Sequence, residues 1–169
     1  MRTRYRYLAL AVGLAVTAAA ATGLGAAPSG PDAAKASTPP VYRPVTSDLM
    51  NAVIQPRHIK LWLAGKNGDW EYAEYERHNI GGALARIAAA IPIYKGQPME
   101  SLNAAFATPA LAELDTAIKQ KDAAAFEKAY GDLTTGCNQC HQATNHPMVV
   151  IKVPDGNPFP DQDFEAPHG

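Results

Sequence analysis

The two cysteines of this 169-residue chain stand three residues apart, and a histidine follows the second, in the run CNQCH formed by Cys137, Asn138, Gln139, Cys140 and His141. On a helix, positions three and four apart lie on one face, so Cys137, Cys140 and His141 point at the same slot. A stripe of Phe126, Tyr130 and Leu133 leads into the run and Thr144 continues it. The spacing therefore predicts a helix from about Asp122 whose buried face carries the motif.

Upstream, from residue 46 onward, apolar residues recur at helical spacing and no alternating strand pattern competes. The first helix is expected to begin at Thr46 or Ser47, either able to cap. It places Met50, Val53, Ile54, His58, Leu61 and Trp62 on one face and is expected to stop at Gly65. Pro56 in its interior predicts a kink or break between Ala52 and Pro56. A second helix runs from about Asp69, with Ala73, Arg77, Ile80, Leu84, Ile87 and Ile91 on one stripe, and ends before Pro92; Gly81 and Gly82 weaken it or admit a close neighbour. A third covers residues 99–119, interrupted at Thr108-Pro109, where an N-cap and a first-turn proline would start a segment carrying Leu111, Leu114 and Ile118. With the helix of the CNQCH run, these stretches suggest an all-α, antiparallel up-and-down four-helix bundle. Residues 145–169, rich in Pro and Asp with one apolar stretch from Met148 to Val153, read as an irregular C-terminal tail.

The N-terminus reads differently. Arg2, Arg4 and Arg6 precede an apolar run from Leu8 to about Leu24, the pattern of a secretory signal peptide over residues 1–27. Small residues at Ala18-Ala19-Ala20, at Ala34-Lys35-Ala36 and at Gly25-Ala26-Ala27, the last followed by unfavourable Pro28, leave the cleavage point open. An uncleaved run would anchor the chain in the membrane. Residues 28–45 are Pro, Ala, Ser and Thr with almost no large apolar side chain, the composition of a flexible linker. Without the three leader arginines the chain has 12 basic and 16 acidic side chains, a net charge of about −4, which argues against a nucleic-acid partner. Glu71, Glu74 and Glu76 form an acidic group that reads as a solvated helix face or as a steering surface for a basic partner.

The chemistry of C-x-x-C-H is specific. Two thiols add to the two vinyl groups of haem, and the adjacent histidine supplies an axial nitrogen to iron. A thioredoxin-like pair would want a strand and a βαβ context, and a zinc site would want two more ligands at close spacing. A plain disulfide leaves His141 without a role. Export agrees with haem, because covalent attachment of this kind belongs outside the cytoplasm, and the periplasm is the expected location.

The motif's position sorts the kind of haem protein. In the common small cytochromes c the attachment site lies near the N-terminus of the domain, whereas only 28 residues follow His141 here. Over residues 46–144 the chain instead resembles the class II cytochromes c, the cytochrome c′ and cytochrome c-556 group, with cytochrome b562 as a noncovalent relative. That resemblance implies a four-helix bundle with one covalent haem c between its helices and His141 as proximal ligand. Pro56 and the long tail depart from the pattern; the tail could cover the haem edge or bind a partner.

What the iron does depends on its other face, since Met/His ligation suits electron transfer and an open position suits small-molecule binding. In an antiparallel bundle the end of the fourth helix lies beside the start of the first, where Met50 offers a thioether; cytochromes c-556 and b562 place their methionine similarly. His58 is the rival, eight residues on and about 12 Å further along an ideal helix. Met148 on a folded-back tail and an open sixth position remain as alternatives, and His78, His146 and His168 read as exposed or helix-end histidines. The leading expectation is an exported monohaem electron carrier serving a redox partner protein, which makes and breaks no substrate bond. The alternatives are a five-coordinate cytochrome c′-like protein binding nitric oxide or carbon monoxide, and a peroxide-reducing enzyme with His58 as distal base. The resemblance also allows a homodimer.

Overall fold

The computed structural model describes residues 43–164; the expected signal segment, nearly all of the linker, and the last five residues with His168 lie outside the described residues. The described chain is all-α apart from one short hairpin. α1 (Thr46–Leu49) runs through a wide π turn at Met50–Ile54 into α2 (Gln55–Lys66). The π turn is the form taken by the expected break at Pro56. Gln55 N–H donates to Met50 O, five residues back, so the helix widens before the proline, which then sits in the first turn of α2 where its missing donor costs little. Arg57 Nη1 donates to the Val53 carbonyl of that turn at 2.7 Å.

The endings of three helices, at Gly68, Lys121 and Asn145, follow one pattern. Beyond α2, Gly68 adopts φ +75°, with Asp69 N–H donating to Ala64 O at 3.0 Å and Gly68 N–H to Gly65 O at 3.2 Å, a Schellman motif. Asp69 then caps α3 (Trp70–Ala90), its carboxylate accepting from Tyr72 N–H at 3.0 Å. After α3, β1 (Ile93–Tyr94) pairs antiparallel with β2 (Gln97–Pro98) across a two-residue turn at Lys95 and Gly96, both at positive φ. α4 (Met99–Phe106) and α5 (Thr108–Gln120) are separated at Ala107. Lys121, at φ +54°, closes α5 as Gly68 closes α2, and Asp122 caps α6 (Ala123–Ala143) by accepting from Ala125 N–H. Asn145, at φ +61°, closes α6.

Several expectations are corrected. Val45 precedes the first helix and no side chain caps it, so Thr46 and Ser47 are helical residues. Gly65 lies inside α2, where a Cβ would meet the Phe126 ring at 2.1 Å, and Gly68 ends the helix. Thr108 is the first residue of α5 and donates back to Asn103 O instead of capping. The hairpin was not expected.

Side-chain pairings give the helix directions. His58 and then Gly65 on α2 meet Thr134 and then Phe126 on α6, so the two run antiparallel. Arg77 lies 3.4 Å from Asp115 and Gly81 abuts Leu111, so α3 and α5 are antiparallel too. The core has two parts. One gathers Leu61, Ile80, Leu114, Phe126, Tyr130 and Leu133; the other gathers Ile54, Ala83, Ile87, Met99 and Leu102, with Met50, Leu84, Phe106 and Cys140 packed against it. The tail after α6 has no helix or strand up to residue 164. It is tied to the body where Phe159 lies under Lys60, Gln162 donates to Tyr72 Oη at 2.6 Å, and buried Phe164 stacks on Tyr72. No helix among the described residues is long and apolar enough to cross a membrane.

Candidate cofactor site

Members of both core clusters line one cavity of about 460 Å³. Cys137, Cys140 and His141 of α6 form one wall. Met50, Ile54 and His58 come from the first helix, Ile80 and Leu84 from α3, Leu102 and Phe106 from α4, and Met148 to Ile151 from the tail. Protein interiors are packed to near-crystal density, so an apolar space of this size is a ligand site in form, within the roughly 300–1,000 Å³ typical of cofactor pockets. Its width depends on Gly136. A Cβ there would stand 1.8 Å from the Phe106 carbonyl oxygen, so only glycine lets α4 approach α6 this closely beside the motif.

Both cysteines are free thiols. Burial, and then the neighbouring Cys140, push the Cys137 thiol up to about 11, and burial raises Cys140 as well. A disulfide-exchange pair works through a depressed thiolate, so the raised pKa of these thiols in an apolar wall argues against redox exchange. No cluster of three or more His, Cys, Asp or Glu side chains suited to a metal ion occurs among the described residues.

His141 is half-buried, and its Nδ1 lies 2.8 Å from Val149 O. A carbonyl only accepts, so Nδ1 carries a hydrogen, and in the neutral ring the lone pair is then on Nε2. Asn138, inside the motif, binds the backbone of Ile151 twice: its Oδ1 accepts from Ile151 N–H at 2.7 Å and its Nδ2 donates to Ile151 O at 2.8 Å.

On the opposite wall the candidate ligands separate. Met50 is half-buried, begins the π turn and packs against the second core cluster. His58 is buried with both ring nitrogens engaged. Thr134 Oγ1 gives its hydrogen to Tyr130 O at 2.9 Å and so accepts from His58 Nε2 at 3.0 Å. The Tyr130 hydroxyl lies 2.8 Å from Nδ1 and 2.8 Å from the His58 carbonyl, so its one hydrogen is shared between the two. Burial holds the His58 imidazole down to about 4, so the ring is neutral. Met148 is at the rim and 76% exposed.

Asn51, Gln55 and Asn103 are further polar residues in the cavity lining. His78 is exposed, while His146 is half-buried, stacks on Tyr94 and bonds to its hydroxyl at 3.2 Å. Glu74 takes Arg77 in a two-point ion pair, and Glu76, only 4% exposed, is no part of a solvated face; burial raises its carboxyl pKa. Nothing in the residue pattern marks Asn138, the Val149 carbonyl or the Tyr130–Thr134 pair as parts of this site; the first two act on or through backbone, which composition does not show.

No protein-family model, no curated protein and no solved structure matches the chain.

Proposed function

We propose that this chain is an exported, periplasmic c-type cytochrome of class II that carries electrons to or from a redox partner protein. Its helices form an antiparallel four-helix bundle around one haem c, bound through Cys137 and Cys140, with His141 as proximal ligand and Met50 as distal ligand. The observation that carries this reading is that Cys137, Cys140, His141 and Met50 line a single apolar cavity.

The residues present fit the group. Two free thiols one helical turn apart offer two attachment points on one wall, and His141, with Nδ1 donating to Val149 O, leaves Nε2 as the nitrogen that would hold iron. When bound, haem supplies a one-electron ferric–ferrous couple. The chain's part is to fix the group's edge through the thiols, orient the imidazole through Nδ1, and exclude water with Ile54, Ile80, Leu84, Leu102 and Leu133. His58 has both nitrogens committed to Thr134 and Tyr130, which leaves it no lone pair for iron or for a peroxide proton. That favours Met50 over His58 and an electron carrier over a peroxide-reducing enzyme.

The full chain, produced together with a haem-attachment system, tests the reading. Expected are haem that resists acid–acetone extraction, low-spin spectra in both oxidation states, and a near-infrared methionine-ligand band that is lost in Met50→Ala. Extractable haem or none refutes the attachment. A high-spin native protein replaces electron transfer with the five-coordinate reading, in which nitric oxide or carbon monoxide binds. A band that survives Met50→Ala removes Met50 as the ligand.

A further inference from the structure

The tail does not merely follow α6; it turns back over the last two turns of that helix. Asn145 reverses the chain, with His146 N–H donating to His141 O at 2.7 Å and Asn145 N–H to Gln142 O at 3.1 Å. Three bonds of 2.7–2.8 Å then join the returning segment to the motif: two between Asn138 and the Ile151 backbone, one between His141 Nδ1 and Val149 O. Met148, Val149, Val150 and Ile151 line the cavity. Val150, at 73% exposed, is not held there by burial, so the hydrogen bonds must fix this segment. The far end is held separately, by Phe159 on Lys60 and Phe164 on Tyr72. The tail is thus a strap with an anchor at each end.

We propose that this strap tunes the proximal ligand: the Val149 carbonyl fixes the tautomer and basicity of His141, and Asn138 is the positioning residue that holds that carbonyl in place. The inference rests on the haem reading above. A histidine that gives its outer N–H to a carbonyl becomes a stronger donor at its other nitrogen, and such partners commonly change metal affinity by about 10–100-fold when removed. A stronger donor favours the more highly charged ferric iron and lowers the reduction potential. Asn138 suits the role because its amide satisfies both backbone groups of Ile151, two residues beyond Val149, and so sets the segment's register against α6. Alanine at 138 leaves the Val149 carbonyl in the chain but frees it from His141.

The test compares the full-length haem-bound parent with Asn138→Ala and with Gln142→Ala, a change at an exposed site on the same helix. Expected for Asn138→Ala are a reduction potential shifted positive and a His141 Nδ1 proton that exchanges with solvent at least ~10-fold faster by NMR, with Gln142→Ala matching the parent. An Asn138→Ala protein that keeps covalent haem and shows the parent's potential and exchange rate overturns the proposal, leaving the strap a purely structural element. Should Asn138→Ala not accumulate folded, Asn138→Asp keeps the acceptor for Ile151 N–H and removes the donor to Ile151 O; it is expected to speed the His141 Nδ1 exchange by less, and an unchanged exchange rate overturns the proposal. If the parent itself takes no covalent haem, the haem reading fails separately, and ¹⁵N shifts of His141 in the haem-free chain decide for the strap: a pure Nδ1–H tautomer that becomes mixed in Asn138→Ala supports it, and an unchanged tautomer overturns it.

Discussion

Replacing Gly136 by alanine tests the packing that sets the width of the cavity. The added Cβ would lie 1.8 Å from Phe106 O and 2.9 Å from Phe106 C. Carbon–oxygen contacts of this kind settle near 3.3 Å, so α4 and α6 must part by about 1.5 Å. Both contacting groups are backbone, so no rotamer change relieves the clash, and a cost near the upper end of the usual ~1–3 kcal/mol for overpacking is expected. The substitution recovers at most about 1 kcal/mol from replacing a helical glycine. The net is a destabilisation of about 2 kcal/mol, or about 4–8 °C in Tm for a chain of this size. Gly131 supplies the control on the same helix, since nothing lies within 4 Å of its Cβ position; Gly131→Ala is expected to stabilise by up to about 1 kcal/mol. Thermal and urea unfolding followed by circular dichroism measure both variants. A Gly136→Ala protein as stable as Gly131→Ala would refute the close approach of α4 to α6, and with it the described wall of the cavity.

Lys121 holds φ +54° at the end of α5, a conformation costly for a residue with a Cβ, so Lys121→Gly is expected to raise stability by about 0.5–1 kcal/mol in urea titrations, and a loss of stability would mean that the lysine side chain contributes more than the strain costs. His58 makes stability depend on pH. Its folded value of about 4 lies below the ordinary 6.5, so the unfolded chain binds the proton first. The contribution is whole above pH 6.5 and is lost as pH falls toward 4, by up to about 3 kcal/mol. The difference in unfolding free energy between the parent and His58→Gln should shrink by that amount across the window, and a difference independent of pH would contradict the neutral, buried imidazole.

Much of this architecture was legible because its signals are local. Asp69 and Asp122 read as helix starts from their place before apolar-periodic stretches, and the interruption at Thr108-Pro109 follows from the proline ring. What stayed hidden depends on who lies opposite whom. Gly65 reads as a stop until Phe126 is seen to occupy the space of its missing side chain, and the true stop, Gly68, is distinguished by a Schellman pair that sequence spacing does not reveal. Glu76 sits beside Glu74 in an acidic group, yet one faces the interior and the other solvent-side Arg77, a difference set by the helix face each occupies against α2. The placing of Cys137, Cys140 and His141 along one cavity wall follows from their helical spacing. The neighbours that govern them, the Val149 carbonyl and Gly136's missing Cβ, are backbone features, and no residue type announces them.

The two faces of the cavity are constrained in opposite ways, and this asymmetry bears on which donor can complete the site. Around His141, the ring's hydrogen bond among the described residues goes from Nδ1 to the Val149 carbonyl of the strap. Around His58 the polar groups do the reverse, for Thr134 and Tyr130 take both nitrogens and tie α2 to α6 at that depth. Freeing His58 for a metal would break both ring hydrogen bonds, at a cost of about 0.5–1.5 kcal/mol each, although Tyr130 and Thr134 would keep their backbone carbonyl partners. Met50 and Met148 carry no such commitment. A thioether is a weak donor and gains most from being held in place, which an exposed rim residue on a loop does less well than a half-buried residue on a helix. The π turn sharpens the point: it begins at Met50 and is braced by Arg57 through the Val53 carbonyl, so the one distortion in the first helix lies at the residue proposed above as the distal donor.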